Sequence, residues 1–105
     1  MNATVPLYQW SDVVKMLSLY LEAEKLNYEV KDAHTIVVKE DLDVRHSEKS
    51  KETFINRKDG EALIDIKHGD RKSTITLWDY SMDIVWKGNV SVNQENGFLV
   101  ISPFK

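Results

Sequence analysis

The chain has 105 residues, of which 42% are hydrophobic and 30% charged, a composition typical of a soluble globular domain. We therefore expect one domain over residues 1–105. The absence of cysteine excludes a disulfide framework, a thiolate metal site and a cysteine nucleophile. Seventeen acidic and 14 basic residues give a formal net charge of −3, which argues against general nucleic-acid binding because that binding depends on neutralising phosphates.

The hydropathy of the chain predicts neither export nor membrane insertion. Residues 1–7 contain no basic stretch and no long apolar core, so they do not resemble a signal peptide. No apolar run approaches the roughly 18 residues that a membrane span requires. Together with the lack of cysteine, these features predict a cytoplasmic protein without membrane contacts.

One helix is predicted, over residues 12–26, with Ser11 as its N-cap and Asn27 as the left-handed residue that ends it. Trp10 is expected to pack across the entry to this helix. Apolar residues cover about two thirds of the helix circumference at 3.6 residues per turn. Because a helix lying on one sheet needs only an apolar stripe, we expect contacts on two sides, from the chain's own sheet or from a second chain.

After Tyr28, β-branched residues and alternation replace the helical period, which predicts strands. Short turns between them require antiparallel pairing. Residues 46–51 are polar and are predicted to form a mobile loop tip. The predicted strands are 28–31, 35–44, 52–57, 62–68, 72–80, 83–87, 90–93 and 98–102.

The C-terminal strands are predicted to pair through a hairpin at Gly88-Asn89 and a loop over residues 94–97. Strand alternation then divides their apolar residues between two faces, which leaves the sheet without a polar face. One predicted face carries Val85, Val90, Val92, Leu99 and Ile101, and the other carries Ile84, Trp86, Phe98 and Val100.

Both the helix and the sheet therefore have more apolar surface than a single contact buries. We expect an α+β fold in which the N-terminal helix packs on a curled, mostly antiparallel sheet of about six to eight short strands, closing toward a partial barrel. A flat helix-on-sheet layer that dimerises through the surplus surface is the alternative.

The polar residues form no motif for catalysis or metal binding. His34, His46 and His68 lack the helical spacing of a zinc site. No serine lies in a Gly-x-Ser-x-Gly turn, and the four glycines are too scattered for a phosphate loop. We therefore predict no catalytic residue, no metal ligand and no cofactor. A small enzyme that uses His46 and Asp70 for acid–base chemistry is kept as an alternative.

The aromatic residues are the strongest functional indication, because Trp and Tyr are enriched at interface cores and energetic hot spots. The predicted partner-binding residues are Trp78, Tyr80, Ile84, Trp86 and Phe98. We interpret the chain as a non-catalytic protein-binding module of the inhibitor, adaptor or assembly type, whose partner is another protein or a second copy in a homodimer. A domain that stacks the bases of single-stranded nucleic acid on its aromatic rings is the other alternative.

Overall fold

The computed structural model describes residues 8–104, with side chains through Pro103. The prediction that residues 1–7 are not a signal peptide therefore lies outside the described residues. A short 3-10 helix, Trp78–Tyr80, lies between β6 and β7, and we call it the 3-10 turn. The other elements are α1 (Trp10–Ala23), β1 (Tyr28–Lys31), β2 (Thr35–Val38), β3 (Asp43–Ser47), β4 (Glu52–Asn56), β5 (Ala62–Lys67), β6 (Ser73–Leu77), β7 (Met82–Trp86), β8 (Asn89–Glu95) and β9 (Phe98–Phe104).

The helix α1 begins and ends earlier than the sequence predicts. Its N-cap is Gln9 instead of Ser11, and the Gln9 backbone N–H donates to the Asp12 carboxylate at 3.3 Å, which is one half of a capping box. Lys25 takes the left-handed conformation, with φ 60°, at the end where Asn27 was expected. Both predicted caps are wrong: Ser11 lies inside the helix, and the N–H groups of Lys25 and Leu26 already close the other end by bonding to the carbonyls of Glu22 and Leu21.

Only one stripe of α1 is buried, and it consists of Trp10, Val13, Val14, Leu17, Tyr20 and Leu21. Leu19 lies on the opposite side and is 67% exposed. The helix packs against both β1 and β7. The helix therefore buries a single stripe, and the second contact expected from its other apolar residues is not made, since Leu19 remains exposed.

Within residues 8–104, nine strands form two antiparallel sheets. The four-stranded sheet has the order β1-β2-β9-β8, and the five-stranded sheet has the order β3-β4-β5-β6-β7. The α+β class with a helix packed on antiparallel sheet is confirmed, although the strands divide between two sheets where one curled sheet was expected. Among the described residues, no helix is both long and apolar enough to cross a bilayer.

The hydrophobic core combines the buried stripe of α1 with the inner faces of both sheets. Alternation along each strand places branched aliphatic side chains on these inner faces. The four-stranded sheet contributes Ile36, Val38, Val90, Val92, Leu99 and Ile101, and the five-stranded sheet contributes Ile55, Ile64, Ile66, Ile75, Leu77 and Ile84.

Two predicted strands are interrupted. The predicted strand 35–44 divides into β2 and β3, which belong to different sheets. In the link between them, the Glu40 carboxylate accepts hydrogen bonds from the backbone and side-chain N–H groups of Asn27, both at 2.9 Å. The predicted strand 72–80 ends at Leu77 because the 3-10 turn follows it, and Ser81 in the left-handed conformation ends that turn.

The predicted hairpin at Gly88-Asn89 is wrong, because β7 pairs with β6 while β8 pairs with β9. The chain passes from one sheet to the other at this point. The Ser73 hydroxyl donates to the Gly88 carbonyl at 2.7 Å, which ties the passing chain to β6. Val85 is consequently separated from the face of Val90, and the other predicted face is divided between the sheets.

The last hairpin is shorter than expected. Asn96 and Gly97 alone form the turn, and Glu95 lies opposite Phe98. The shift by two residues preserves the alternation, so the shared inner face of β8 and β9 was predicted correctly. Their outer face carries Phe98 and Val100 on β9, as predicted, but Ser91, Asn93 and Glu95 on β8, so it is only partly apolar.

Candidate functional site

The structure separates the five predicted partner-binding residues. Trp78 and Tyr80 lie on the 3-10 turn and are 49% and 52% exposed. Phe98 is also exposed but begins β9 in the other sheet. Ile84 is completely buried in the core, and Trp86 is half-buried at the N-terminal end of α1. Only Trp78 and Tyr80 therefore belong to one exposed region.

Trp86 is held by contacts within the chain. Its ring meets Trp10 edge to face, with the ring centres 5.2 Å apart. The Trp86 indole N–H donates to the Asn89 carbonyl at 3.0 Å, and the Trp10 indole N–H donates to the His34 carbonyl at 2.6 Å. A Cβ atom on Gly88 would lie 2.6 Å from the Trp86 ring. These contacts indicate a structural role for both indoles.

The 3-10 turn packs on the buried ring of Tyr20. Tyr20 is completely buried, and its hydroxyl donates to the Leu63 carbonyl at 2.8 Å. Burial raises the pKa of Tyr20 to about 12, with Asp79 as the next largest cause. The ring of Tyr80 meets that of Tyr20 edge to face at 5.3 Å. The turn therefore presents its exposed rings on a well-packed base.

Three carboxylates lie beside this turn. Glu24, Glu61 and Asp79 each bring an oxygen within 4.8 Å of the other two. The Arg57 guanidinium donates to Glu24 and to Glu61, both at 2.9 Å. A hydrogen bond with the Asp79 carboxyl, followed by burial, raises the pKa of Glu24 above its ordinary value. The carboxylates thus outnumber the single guanidinium. Together with Trp78 and Tyr80 they define what we call the acidic aromatic site.

The same carboxylates are the donor type that calcium and magnesium prefer. Arg57 already supplies positive charge to two of them. Within residues 8–104, no other group of three histidine or carboxylate side chains brings its ligand atoms as close together. This group contains no histidine. The sequence offered no sign of the cluster, because Glu24 ends the helix while Asp79 lies far along the chain between two aromatic residues.

A hydrogen-bonded chain, which we call the histidine chain, joins the two sheets at another place. The Asn89 side-chain oxygen accepts the Val90 backbone N–H at 2.8 Å. The same oxygen lies 3.0 Å from His68 Nδ1, and because an amide oxygen can only accept, His68 Nδ1 is the donor. In neutral His68 the Nε2 atom is then an acceptor, and the Thr53 hydroxyl donates to it at 2.6 Å. The Thr53 oxygen in turn accepts from His46 Nδ1 at 2.9 Å.

The order of groups in the histidine chain is that of a nucleophile, a base and an orienting amide. However, Thr53 is only 1% exposed, and its oxygen already accepts from His46. A cavity of about 220 Å³ lies alongside, lined by Lys51, His68, Gly69, Asp70 and Asn89. Both ring nitrogens of His68 are hydrogen-bonded within the chain, so neither is unpaired beside that cavity.

The two residues of the enzyme alternative, His46 and Asp70, lie in and beside the histidine chain. The structure joins His46 to His68 through Thr53, which the sequence did not indicate, because Thr53 reads as an ordinary β-branched strand residue. Asp70 lies beside His68 at the cavity, and His34 is elsewhere, next to Trp10. The histidine chain connects β3, β4 and β8 through the end of β5, which is a structural role.

The chain matches no protein-family model, and no significant match is found among curated proteins or solved structures.

Proposed function

We propose that this protein is a protein-binding module that docks through the acidic aromatic site onto a partner segment rich in arginine and lysine. The supporting observation is the pair of half-exposed rings, Trp78 and Tyr80, beside three carboxylates that outnumber the one guanidinium near them. Two exposed aromatic rings beside several negative charges are suited to a cationic partner.

Aromatic rings and carboxylates recognise the same side chain in complementary ways. An arginine stacks its planar guanidinium on Trp or Tyr and forms short, charge-assisted hydrogen bonds with carboxylates. The ring of Tyr80 is already positioned by Tyr20, so little ordering of that side chain opposes binding. The overall charge of −3 favours encounter with a basic surface.

The same geometry disfavours the nucleic-acid alternative. Phosphates bind where basic side chains release counterions, whereas the exposed rings here have carboxylates as neighbours. Asp79 itself lies between Trp78 and Tyr80 in the turn. A stacked base at this position would bring its phosphate toward negative charge.

The direct test is calorimetric titration with arginine-rich peptides, lysine-rich peptides and acidic peptides of equal length. The basic peptides are expected to bind, with an affinity that falls as salt is added. Trp78→Ala should weaken binding by about tenfold or more, as expected of a hot-spot tryptophan. Phe98→Ala is the matched control, because Phe98 is also exposed but lies on the other sheet.

Three outcomes would contradict the proposal. Basic peptides that fail to bind would remove it, as would equal losses in Trp78→Ala and Phe98→Ala. Tight binding of calcium or magnesium alone, blocked by Glu61→Gln, would assign the carboxylates to a metal instead.

A further inference from the structure

The turn between β8 and β9 determines which backbone groups of β8 face away from its neighbour. Asn96-Gly97 has φ angles of 53° and 82°, as in a two-residue hairpin turn of the type that matches strand twist. In such a hairpin the flanking residues, here Glu95 and Phe98, exchange both ladder hydrogen bonds. Every second residue back along β8 therefore bonds to β9, and the residues between point their backbone groups outward.

The outward groups belong to Val90, Val92 and Gln94. The Val90 N–H donates to the Asn89 side chain at 2.8 Å, in agreement with this alternation. The N–H and C=O groups of Val92 and Gln94 have no hydrogen-bond partner among residues 8–104. With the Val90 C=O, two donors and three acceptors thus line the outer edge of β8.

The other sheet edges are protected in ways that β8 is not. The edge strand β1 is short and includes Glu29 and Lys31, and β3 carries Asp43 and Arg45. The edge of β7 is contacted by Tyr8, whose N–H donates to the Val85 carbonyl at 2.8 Å. Charges and covering segments prevent edge-to-edge pairing. By contrast, β8 has seven residues and its only charge is at its last residue.

We infer that the β8 edge pairs with the β8 edge of a second copy of this chain, forming a two-fold dimer with one continuous eight-stranded sheet. Antiparallel pairing of Val92 with Gln94 of the second copy satisfies the four free backbone groups of these two residues in each strand. It also leaves the Val90–Asn89 bond intact. Each β8 edge is covered by the other copy in the dimer, so a third copy cannot add at this edge.

This register places Asn93 directly opposite Asn93 of the second copy. Opposed side chains of an antiparallel pair lie close together, and two amides can hydrogen-bond to each other. Ser91 then faces Glu95 of the second copy, so no like charges meet. The strand is thus complementary to itself, which favours a second copy over a charged partner.

The test combines sedimentation with amide exchange over a wide range of protein concentration. The mass should rise toward that of two chains, and the amides of Val92 and Gln94 should exchange more slowly as concentration increases. Asn93→Asp and Asn93→Lys each place like charges at the two-fold axis, and each should raise the dissociation constant by about tenfold. Asn93 is exposed, so both variants are expected to fold.

An equimolar mixture of Asn93→Asp and Asn93→Lys should dimerise again, because opposite charges then meet across the axis. A chain that stays monomeric with unprotected Val92 and Gln94 amides overturns the inference. So does a dimer that is insensitive to both Asn93 substitutions. Trp78→Ala should leave the dimer unchanged, which separates this inference from the acidic aromatic site.

Discussion

Two pairs of aromatic rings meet edge to face at the two ends of α1, and their surroundings differ. At the N-terminal end, Trp10 and Trp86 lie 5.2 Å apart, and both indole N–H groups donate to backbone carbonyls. At the C-terminal end, Tyr20 and Tyr80 lie 5.3 Å apart, but Tyr80 is 52% exposed and stands beside carboxylates. The distances between ring centres are nearly equal in the two pairs, so the difference in environment is the basis for assigning a structural role to one pair and proposing a docking role for the other.

The N-terminal pair is also reinforced by the histidine chain. Asn89 accepts the Trp86 indole N–H with its carbonyl and holds His68 with its side chain. Asn89 and His68 therefore link the Trp86 ring through hydrogen bonds to Thr53 on β4. Nothing comparable covers the rings of Trp78 and Tyr80 among the described residues.

The largest expected effect comes from breaking the structural pair. Trp86→Ala removes a ring that packs on Trp10 and on the core, and it should lower the free energy of unfolding by about 3 kcal/mol. Chemical denaturation measures the change. Trp78→Ala is the matched control and should change the free energy of unfolding by less than about 1 kcal/mol. Similar losses in both variants would mean that the two tryptophans do not have different roles.

The next effect tests the reinforcement of the N-terminal end. Thr53→Val preserves the shape of the buried side chain but leaves His46 Nδ1 and His68 Nε2 without their partner. We expect a loss of about 2 kcal/mol in the free energy of unfolding. In the unsubstituted protein, nitrogen chemical shifts should show His68 protonated on Nδ1 when neutral. The Nε2 tautomer would contradict the order of donors in the histidine chain.

The C-terminal pair is expected to tolerate a smaller change. Tyr20→Phe removes the hydroxyl that donates to the Leu63 carbonyl, at a cost of about 1 kcal/mol. The edge-to-face contact with Tyr80 is retained, so basic-peptide affinity should stay nearly constant. A large loss of affinity with normal stability would show that the hydroxyl, more than the ring, positions the site.

The smallest effect on stability has the opposite sign. Asp79 raises the pKa of Glu24 in the folded state. As pH rises above the ordinary pKa of glutamate, the unfolded chain therefore loses the Glu24 proton before the folded protein does. The carboxylate pair therefore opposes folding at neutral pH, and Asp79→Asn should stabilise the protein by less than about 1 kcal/mol. This gain should vanish below the ordinary pKa of glutamate.

Asp79→Asn should nevertheless weaken basic-peptide binding several-fold, because it removes a carboxylate from the acidic aromatic site. Higher stability with lower affinity is the pattern of a group retained for binding. Thermal unfolding and calorimetry on the same samples measure both quantities. Unchanged affinity would exclude Asp79 from the docking surface.

Local patterns in the sequence were sufficient for part of this structure. The helical period gave α1, and alternation placed Val90, Val92, Leu99 and Ile101 on one inner face. The division into two sheets depends on long-range pairing, which the alternation around Gly88-Asn89 does not encode. The acidic aromatic site depends on the meeting of Glu24 with Asp79. Thr53 acquires its role only through the register of β3, β4 and β5.

The three tryptophans of the chain allow the central claim to be tested in a single titration. Each indole N–H gives one resonance, and an arginine-rich peptide is added while all three are followed. Docking at the acidic aromatic site predicts that the Trp78 signal shifts progressively to saturation while those of Trp10 and Trp86 stay fixed. A shift of Trp10 or Trp86 with an unmoved Trp78 signal would contradict it.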